Sequence, residues 1–413
     1  MIRKLSDVTD IIAGYAFKSK DFGPDFPDKV IKITHIVPPI VDMNRLSSVD
    51  ISKYDRSKLE KYIAREGDYV FAMTGATIGK IGRIEKGEAY LNQRVMMFKP
   101  NSEIDKDFLY YILLQKNFYQ YVLNHIDSES AQPNISAGTV AKYEFDLPDI
   151  EIQRKIGKVL RLHDEKIETN RRINENLLQQ AQAILTSYFI DFSQFGGVVP
   201  DDWKRGTLQD IAVFSNGYAF KSKELLDAPE PNCYHVFKQG HINRGGGFNS
   251  SGTKSWYPKS KCAALSKYVL HKGDVLMAMT DMKDNVAILG NTALMTVDDQ
   301  YIVNQRVGLL RSNGYKSTSY AYIYLLTNSF DFLKDLRSRA NSGVQVNLSS
   351  SEIKASPVWI ATDEVNKEFN ALTEPLLSMI MSNDIENQRL AGLRDILLPR
   401  LMSGELDVSN LDI

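Results

Sequence analysis

Lysines, hydroxyls and carboxamides recur at matched spacings in the two halves of this 413-residue chain. These side chains suit gripping a polyanion and reading a polar edge. Lys18 and Lys20, and again Lys221 and Lys223, follow a Gly-Tyr-Ala-Phe turn. Ammonium groups so placed can hold phosphate oxygens; the alternative is a solvated surface pair. Thr74, Thr77 and Lys80 lie in a small glycine-bearing loop after a β-type run, suited to close backbone approach, and Thr280 and Lys283 lie in its counterpart. The two loops differ in chemistry while their flanks match, as expected of one frame reading two different sequences; a plain surface turn is the alternative. Arg94 and Arg306 sit in identical Asn-Gln-Arg triplets, which a common phosphate contact or a brace for the fold explains better than base discrimination. Gln132 with Asn134, and Gln345 with Asn347, can each make paired hydrogen bonds to an adenine edge, although turn-capping amides are equally common. Tyr15, Phe17, Tyr218 and Phe220 read as core aromatics, and His35 and His241, with no ligand or triad partner in sequence, as structural or nucleic-acid-facing.

The elements that must position these groups are written twice. The heptapeptide Gly-Tyr-Ala-Phe-Lys-Ser-Lys occupies both Gly14–Lys20 and Gly217–Lys223, an offset of 203. Gly67-Asp68 returns as Gly273-Asp274 at an offset of 206, Asn92–Arg94 as Asn304–Arg306 at 212, and Gln132-x-Asn134 as Gln345-x-Asn347 at 213. The drift is what small loop insertions on a shared scaffold produce. Each globular part, residues 1–148 and 196–357, mixes short β-type runs with Gly-, Ser- and Asn-rich turns and one aromatic helical stretch (Lys106–Asn124 and Ser317–Arg339), an α+β mixture. The expected β-type runs are Asp68–Met73, Ala89–Phe98, Asp274–Met279 and Tyr301–Leu310, and Pro148 and Pro357 close the two parts.

Segments 149–195 and 358–413 differ in character. Ile156, Leu160, His163, Ile167, Asn170, Asn174, Leu177, Ala181, Ile184 and Tyr188 alternate at spacings of four and three. So do Val365, Phe369, Leu372, Leu376, Met379, Asn383, Glu386, Leu390, Leu393, Leu397 and Arg400. Stripes sustained this long predict two long helices, roughly 55–60 Å each, that pair antiparallel as a coiled coil. Asn170 and Asn383 lie mid-stripe, where a buried amide fixes register at a cost in stability. Pro375 predicts a kink or late start in the second helix. Gly196-Gly197 and Pro200 break the chain before Trp203.

Composition limits the possible functions. The chain is 43% hydrophobic and 24% charged with net charge −1, which points away from a protein that binds nucleic acid unaided but not from one that docks beside a basic partner. The charge is uneven: 20 basic against 21 acidic residues in 1–150, 7 against 5 in 151–190, 19 against 14 in 200–360, and 4 against 10 in 361–413. No apolar run reaches the ~18–20 residues of a membrane span. Two cysteines, Cys233 and Cys262, are too few for a zinc site or a disulfide scaffold, and a cytoplasmic location is expected.

Two similar domains joined by paired helices imply internal twofold symmetry, which duplex DNA shares. Two unlike readers on one chain imply two unlike half-sites, with centres on the order of one turn, ~34 Å, apart. The duplication, the Gly-Asp and Asn-Gln-Arg motifs, the helix start Pro148–Ile156, Pro200-x-x-Trp203, and the C-terminal run Leu393–Leu406 together resemble the specificity subunit of type I restriction–modification systems along essentially the whole chain. The first half lacks the Pro-x-x-Trp segment, so its N-terminal edge is expected to be trimmed or packed differently.

The resemblance implies a non-catalytic subunit with two target-recognition domains (1–148 and 196–357), a central spacer helix (149–195) and a C-terminal helix and tail (358–413). It implies no cofactor on this chain. Double-stranded DNA, two adenine-N6 methyltransferase subunits using S-adenosylmethionine and, optionally, ATP-dependent restriction subunits are the implied partners. By omission the sequence agrees: it has no Asn/Asp-Pro-Pro-Tyr/Phe loop, no Gly-x-Gly cofactor turn after a strand and no phosphate-binding Gly-x-x-x-x-Gly-Lys-Ser/Thr loop. The rival readings are a coiled-coil interaction scaffold and the orphaned specificity part of a fused restriction–methylation enzyme.

Overall fold

The structure, a computed structural model, describes residues 1–126, 133–282, 286–342 and 345–412. The chain divides into two compact units, Met1–Glu165 with Ala391–Ile413, and Lys166–Leu390.

In unit 1, Ile2–Lys4 pairs antiparallel with Glu144–Asp146. One sheet runs Thr9–Ala13, Val95–Pro100, Tyr69–Ala72, Ile81–Arg83, Ile40–Val41, Ile36–Val37. A second runs Ser47–Val49, Asp28–Ile31, Glu88–Leu91, Ile63–Arg65. Helices Lys106–Leu114 and Lys116–Asn124, broken at Gln115, bury Phe108, Tyr111 and Phe118 against Phe71 and Phe98. The helical stretch expected over 106–124 is thus two helices.

Unit 2 repeats the plan. Lys204–Thr207 pairs with Pro357–Ile360, and Ala212–Asn216, Val307–Ser312, Val275–Ala278 and Thr292–Leu294 form the main sheet. Cys233–Phe237 lies between Trp256–Pro258 and Tyr301–Val303, and helices Tyr320–Thr327 and Phe330–Ser338 pack on the core. Pro357, expected to end the domain, instead opens a strand, where its missing N–H costs no ladder bond at the strand's first residue. The opening strand of unit 1 forms without the tryptophan that buries against Phe189, Phe192 and Phe195 in unit 2.

The Gly-Asp motifs explain themselves. Gly67 and Gly273 take φ of +81° and +90°, a conformation that glycine alone enters without penalty. The aspartate that follows closes the turn and then pairs with the neighbouring strand. Asp68 accepts from the Arg65 amide at 2.9 Å and from Lys99 Nζ at 2.5 Å; Asp274 accepts from the His271 amide at 2.8 Å and from Arg311 at 2.7 Å.

The two long helices span Ile150–Leu185 and Asp363–Met402, the first continuing into a π-type turn over Thr186–Ile190. Both start with a buried amide at their fourth residue. Gln153 bonds the Asp105 amide and the Glu103 and Pro148 carbonyls, while Asn366 bonds the Lys316 carbonyl at 2.7 Å. The second helix begins at Asp363, well before Pro375, so the expected late start is overturned: this end is anchored by Asn366 and by Asn370, which bonds the Ser317 carbonyl.

In unit 1 the helices meet through Arg394 and Asp164, 2.7 Å apart, with Tyr111 donating to the other Asp164 oxygen at 2.6 Å. Burial opposes the Arg394 charge, but the adjacent Asp164 carboxylate outweighs it and holds the guanidinium above its ordinary pKa.

In unit 2 the meeting is made of amides. Asn170 Nδ2 donates to Asn387 Oδ1 at 3.0 Å and to Glu386 at 2.7 Å, and Asn383 Nδ2 donates to Asn174 Oδ1 at 2.8 Å. The helices start 213 residues apart, at Ile150 and Asp363. The same step carries Asn170 to Asn383 and Asn174 to Asn387, so the two amide bonds are each other's image in an antiparallel pair.

The buried face of the second helix differs from the expected stripe. Leu372, Met379 and Leu393 are exposed by 45%, 53% and 50%, whereas Phe369, Thr373, Leu377 and Met381 are buried. Thr373 hides its hydroxyl on the Phe369 carbonyl at 2.8 Å, so a polar residue occupies the core face and the sequence pattern shifts by one position.

Asp384 also faces this seam and accepts from Asn174 at 3.0 Å, beside a cavity of about 180 Å³ lined by Leu178, Phe248, Tyr324 and Leu377. Burial pushes its carboxyl up to about 6 from 3.8. Between those values the folded chain keeps a proton that the unfolded chain has lost, so stability falls as pH rises through the window and stays lower above it. Asp384→Asn is therefore expected to stabilise unit 2 by about 2 kcal/mol at pH 8 and by little at pH 4. Thermal unfolding of variant and native chain at both pH values checks this. The difference between the two chains is the readout, because buried His241 contributes a slope of opposite sign between its ordinary 6.5 and about 4.

Candidate nucleic-acid interface

The repeated heptapeptide and the Asn-Gln-Arg triplet lock together. Tyr15 bridges Asn92, and Tyr218 bridges Asn304. A Cβ on Gly14 would stand 2.2 Å from the Asn92 carbonyl oxygen, and one on Gly217 would stand 2.2 Å from that of Asn304. The triplets are turns, not strands. Each interrupts its β-type run, splitting it into Glu88–Leu91 and Val95–Pro100 in unit 1, and into Tyr301–Val303 and Val307–Ser312 in unit 2. The backbone of Asn92 and Asn304 makes the lock, and Gln93, Arg94, Gln305 and Arg306 are exposed.

On its other side each turn holds the threonine loop. The Arg94 carbonyl accepts from the Met73 amide at 3.0 Å, and the Arg306 carbonyl accepts from Met279 at 3.3 Å. Thr74 then bridges Asn134, and Thr280 pairs with Asn347. The sequence-predicted Thr74, Arg94 and Asn134 therefore converge, as do Thr280, Arg306, Gln345 and Asn347. Arg94 lies 3.5 Å from Asn134 Oδ1. Gln132 and Lys283 lie outside the described residues.

Within unit 1, Gly75 and Gly79 take φ of +69° and +85°, Thr77 bonds the Thr74 carbonyl at 3.0 Å, and Lys80 is exposed. Thr74 itself is only 4% exposed, so its role is to hold the loop rather than to touch a ligand. In unit 2, Thr280 is also spent. Its hydroxyl donates to Gln239 Oε1 at 2.7 Å, and Gln239 returns a bond to the Thr280 carbonyl. Asp281 closes the loop by accepting from the Ile288 and Leu289 amides at 2.7 and 3.2 Å. Gln239 and Asp281 were missed in sequence; an amide and a carboxylate bonding the backbone across a fold leave no periodic trace.

Lys18, Lys20, Lys221 and Lys223 are exposed, on and beside short helical turns at Ser19–Asp21 and Ser222–Glu224. The Lys18 segment is tied to Tyr54, which accepts from the Lys18 amide at 3.1 Å and donates to Asp21 at 2.5 Å. Phe17 and Phe220 are core aromatics as expected.

His35 and His241 are structural. Each Nδ1 accepts at 3.0 Å from the amide three residues before it, closing a turn, and both are buried. Burial lowers the pKa of both imidazoles, that of His241 to about 4, so they stay neutral and do not present charge to a ligand.

A family sequence model described as "Type I restriction modification DNA specificity domain" matches residues 1–179 and again 200–389. The chain belongs to the type I restriction–modification DNA specificity family. Among its relatives, this specificity chain is 24% identical to the type I restriction enzyme MjaIX specificity subunit of Methanocaldococcus jannaschii, over 99% of this chain and 94% of that one. It is also 24% identical to the HindI specificity subunit of Haemophilus influenzae, over 76% of this chain and 81% of the relative. The crystal structure of a type I restriction–modification S subunit from M. genitalium shares its fold, with a TM-score of 0.59 at 15% identity over 97% of this chain and 95% of that one. No described helix of the specificity chain is long and apolar enough to cross a membrane.

Proposed function

We propose that the chain is the DNA-recognition subunit of a type I restriction–modification complex, that each unit reads one half of a bipartite, asymmetric duplex target, and that the chain performs no chemistry itself. One observation carries this reading: the same junction of turn, threonine loop and amide segment is built twice on identical locking residues, while the loop residues that emerge from it differ. Arg94 and Arg306 fit phosphate contacts common to both halves, and so do Lys18, Lys20, Lys80, Lys221 and Lys223. The paired helices fit a spacer that sets the unread gap, with Asn170 and Asn383 fixing their register.

Adenine-N6 methyltransferase subunits, two in number to match the duplication, supply the S-adenosylmethionine site, and restriction subunits, where they join, supply ATP hydrolysis. The exposed apolar side chains of the second long helix, Leu372 and Met379 in unit 2 and Leu393 and Ile396 in unit 1, are suited to docking them. The complex works in the cytoplasm, where its DNA substrate is.

Mapping methylated adenines in cells carrying this chain with its methyltransferase tests the proposal. Two short, unlike sequences at a fixed separation are expected, and they should vanish when the chain is deleted. A contiguous target, or methylation independent of the chain, contradicts the proposal.

A further inference from the structure

Unit 2 carries a small three-stranded sheet at the junction: Thr280–Met282 pairs antiparallel with Gln345–Asn347, which pairs with Asn341–Ser342. Cross-strand partners share a face and alternate residues point to opposite faces. Thr280 opposes Asn347, Met282 opposes Gln345, and Asn341 also opposes Asn347, so one face collects Thr280, Met282, Gln345, Asn347 and Asn341. The other face holds Val346, 7% exposed, and Asp281, whose carboxylate closes the loop. The collected face is thus the solvent side, and it starts beside the Asn304–Arg306 turn, through the Met279 amide.

Met282 is out of place on such a face. It is 64% exposed, a flexible apolar side chain among carboxamides. It is also a point where the two units part. Thr280, Gln345 and Asn347 repeat Thr74, Gln132 and Asn134, but Met282 stands where the first unit has Ala76. Groups common to both units cannot by themselves distinguish two unlike half-sites; a long thioether against a single methyl can.

In the major groove adenine offers paired acceptor and donor positions that fit a carboxamide, and thymine alone offers a methyl group. A two-stranded β-ribbon fits that groove, and Thr280–Met282 with Gln345–Asn347 is such a pair. We infer that this face is the reading surface of unit 2, and that Met282 selects a thymine by packing on its 5-methyl group while Gln345, Asn347 and Asn341 address neighbouring bases. The inference rests on the proposed role in DNA recognition and adds to it the residue and the base.

The test uses the full chain assembled with its methyltransferase and duplexes bearing the mapped target, with each thymine of the unit 2 half replaced singly by deoxyuridine, which lacks only the methyl. At one position the native complex should lose about fourfold in affinity, the worth of one buried methyl group. Met282→Ala should abolish that loss, and Met282→Leu, which keeps an apolar side chain, should retain it. Effects of deoxyuridine in the other half should be the same in all three proteins. A unit 2 half without thymine, deoxyuridine tolerated throughout, or a loss unchanged in Met282→Ala would each overturn the inference while leaving the bipartite reading intact. So would a Met282→Ala chain that folds but fails to assemble with the methyltransferase, which would make Met282 a protein contact.

Discussion

Asp164→Ala is expected to destabilise unit 1 by about 3 kcal/mol, because it strands a largely buried guanidinium and removes the acceptor of a buried phenol. Arg394 is 24% exposed and keeps Asp395 at 2.7 Å, which moderates the loss, while Asp164 is 4% exposed and serves Arg394 and Tyr111 at once. The 213-residue step between the helices identifies what unit 2 uses instead. It carries Asp164 to Leu377 and Ala181 to Arg394, and both Leu377 and Ala181 are buried in the unit 2 core. The same positions in the seam are thus filled once by an ion pair and once by hydrocarbon. Asp164→Leu combined with Arg394→Ala should accordingly be more stable than either Asp164→Leu or Arg394→Ala alone, with a coupling energy of at least ~1 kcal/mol. Hydrogen exchange at the Lys106–Leu114 amides under increasing urea reports on unit 1 alone. Losses that simply add would show that the pair contributes nothing as a pair.

Gly217→Ala is expected to be at least as damaging, upward of about 3 kcal/mol, and confined to unit 2. The obstacle is space. The new methyl carbon would lie 2.2 Å from the Asn304 carbonyl oxygen, 2.4 Å from its carbon and 2.8 Å from the Val303 oxygen, all backbone atoms that no rotamer change can move. Relief requires parting the strands, which breaks the bonds from the Gly217 amide to Val307 (3.1 Å) and from the Tyr218 amide to Val303 (2.9 Å) and frees the Asn304–Arg306 turn. Recognition of one half-site should fail with it. Gly14→Ala should do the same in unit 1, whereas Gly392→Ala, in an open position on a helix, should be neutral or slightly stabilising. Thermal melts of the three variants separate these outcomes; a harmless Gly217→Ala would mean the lock is not what holds the junction.

The duplication was legible because the residues that make the lock and the Gly-Asp turns admit few alternatives: where a backbone passes 2.2 Å from a would-be Cβ, only glycine survives in either copy. The Asn-Gln-Arg triplet looked like strand because three residues between two β-forming runs carry no breaker; its turn is set by Asn92 and Asn304 bridging the heptapeptide, a contact distant in sequence. The central helix showed its buried face directly, while the second hid a threonine there and exposed Leu372, Met379 and Leu393 of the expected stripe, so the apolar stripe lay one position away from the true face. Of the candidate site, the threonine loop, the arginine and the asparagine were found together. That Thr74 and Thr280 are consumed internally depends on burial and on Gln239, 41 residues from Thr280, and nothing in the local sequence signals either.

Exchanging residues 203–357 for the matching segment of a relative with a different target, and then mapping methylated adenines, decides whether one scaffold written twice yields two independent readers. The expected result is a target in which one half is new, while the other half and the gap are retained. If both halves change, or neither does, the units do not read separately.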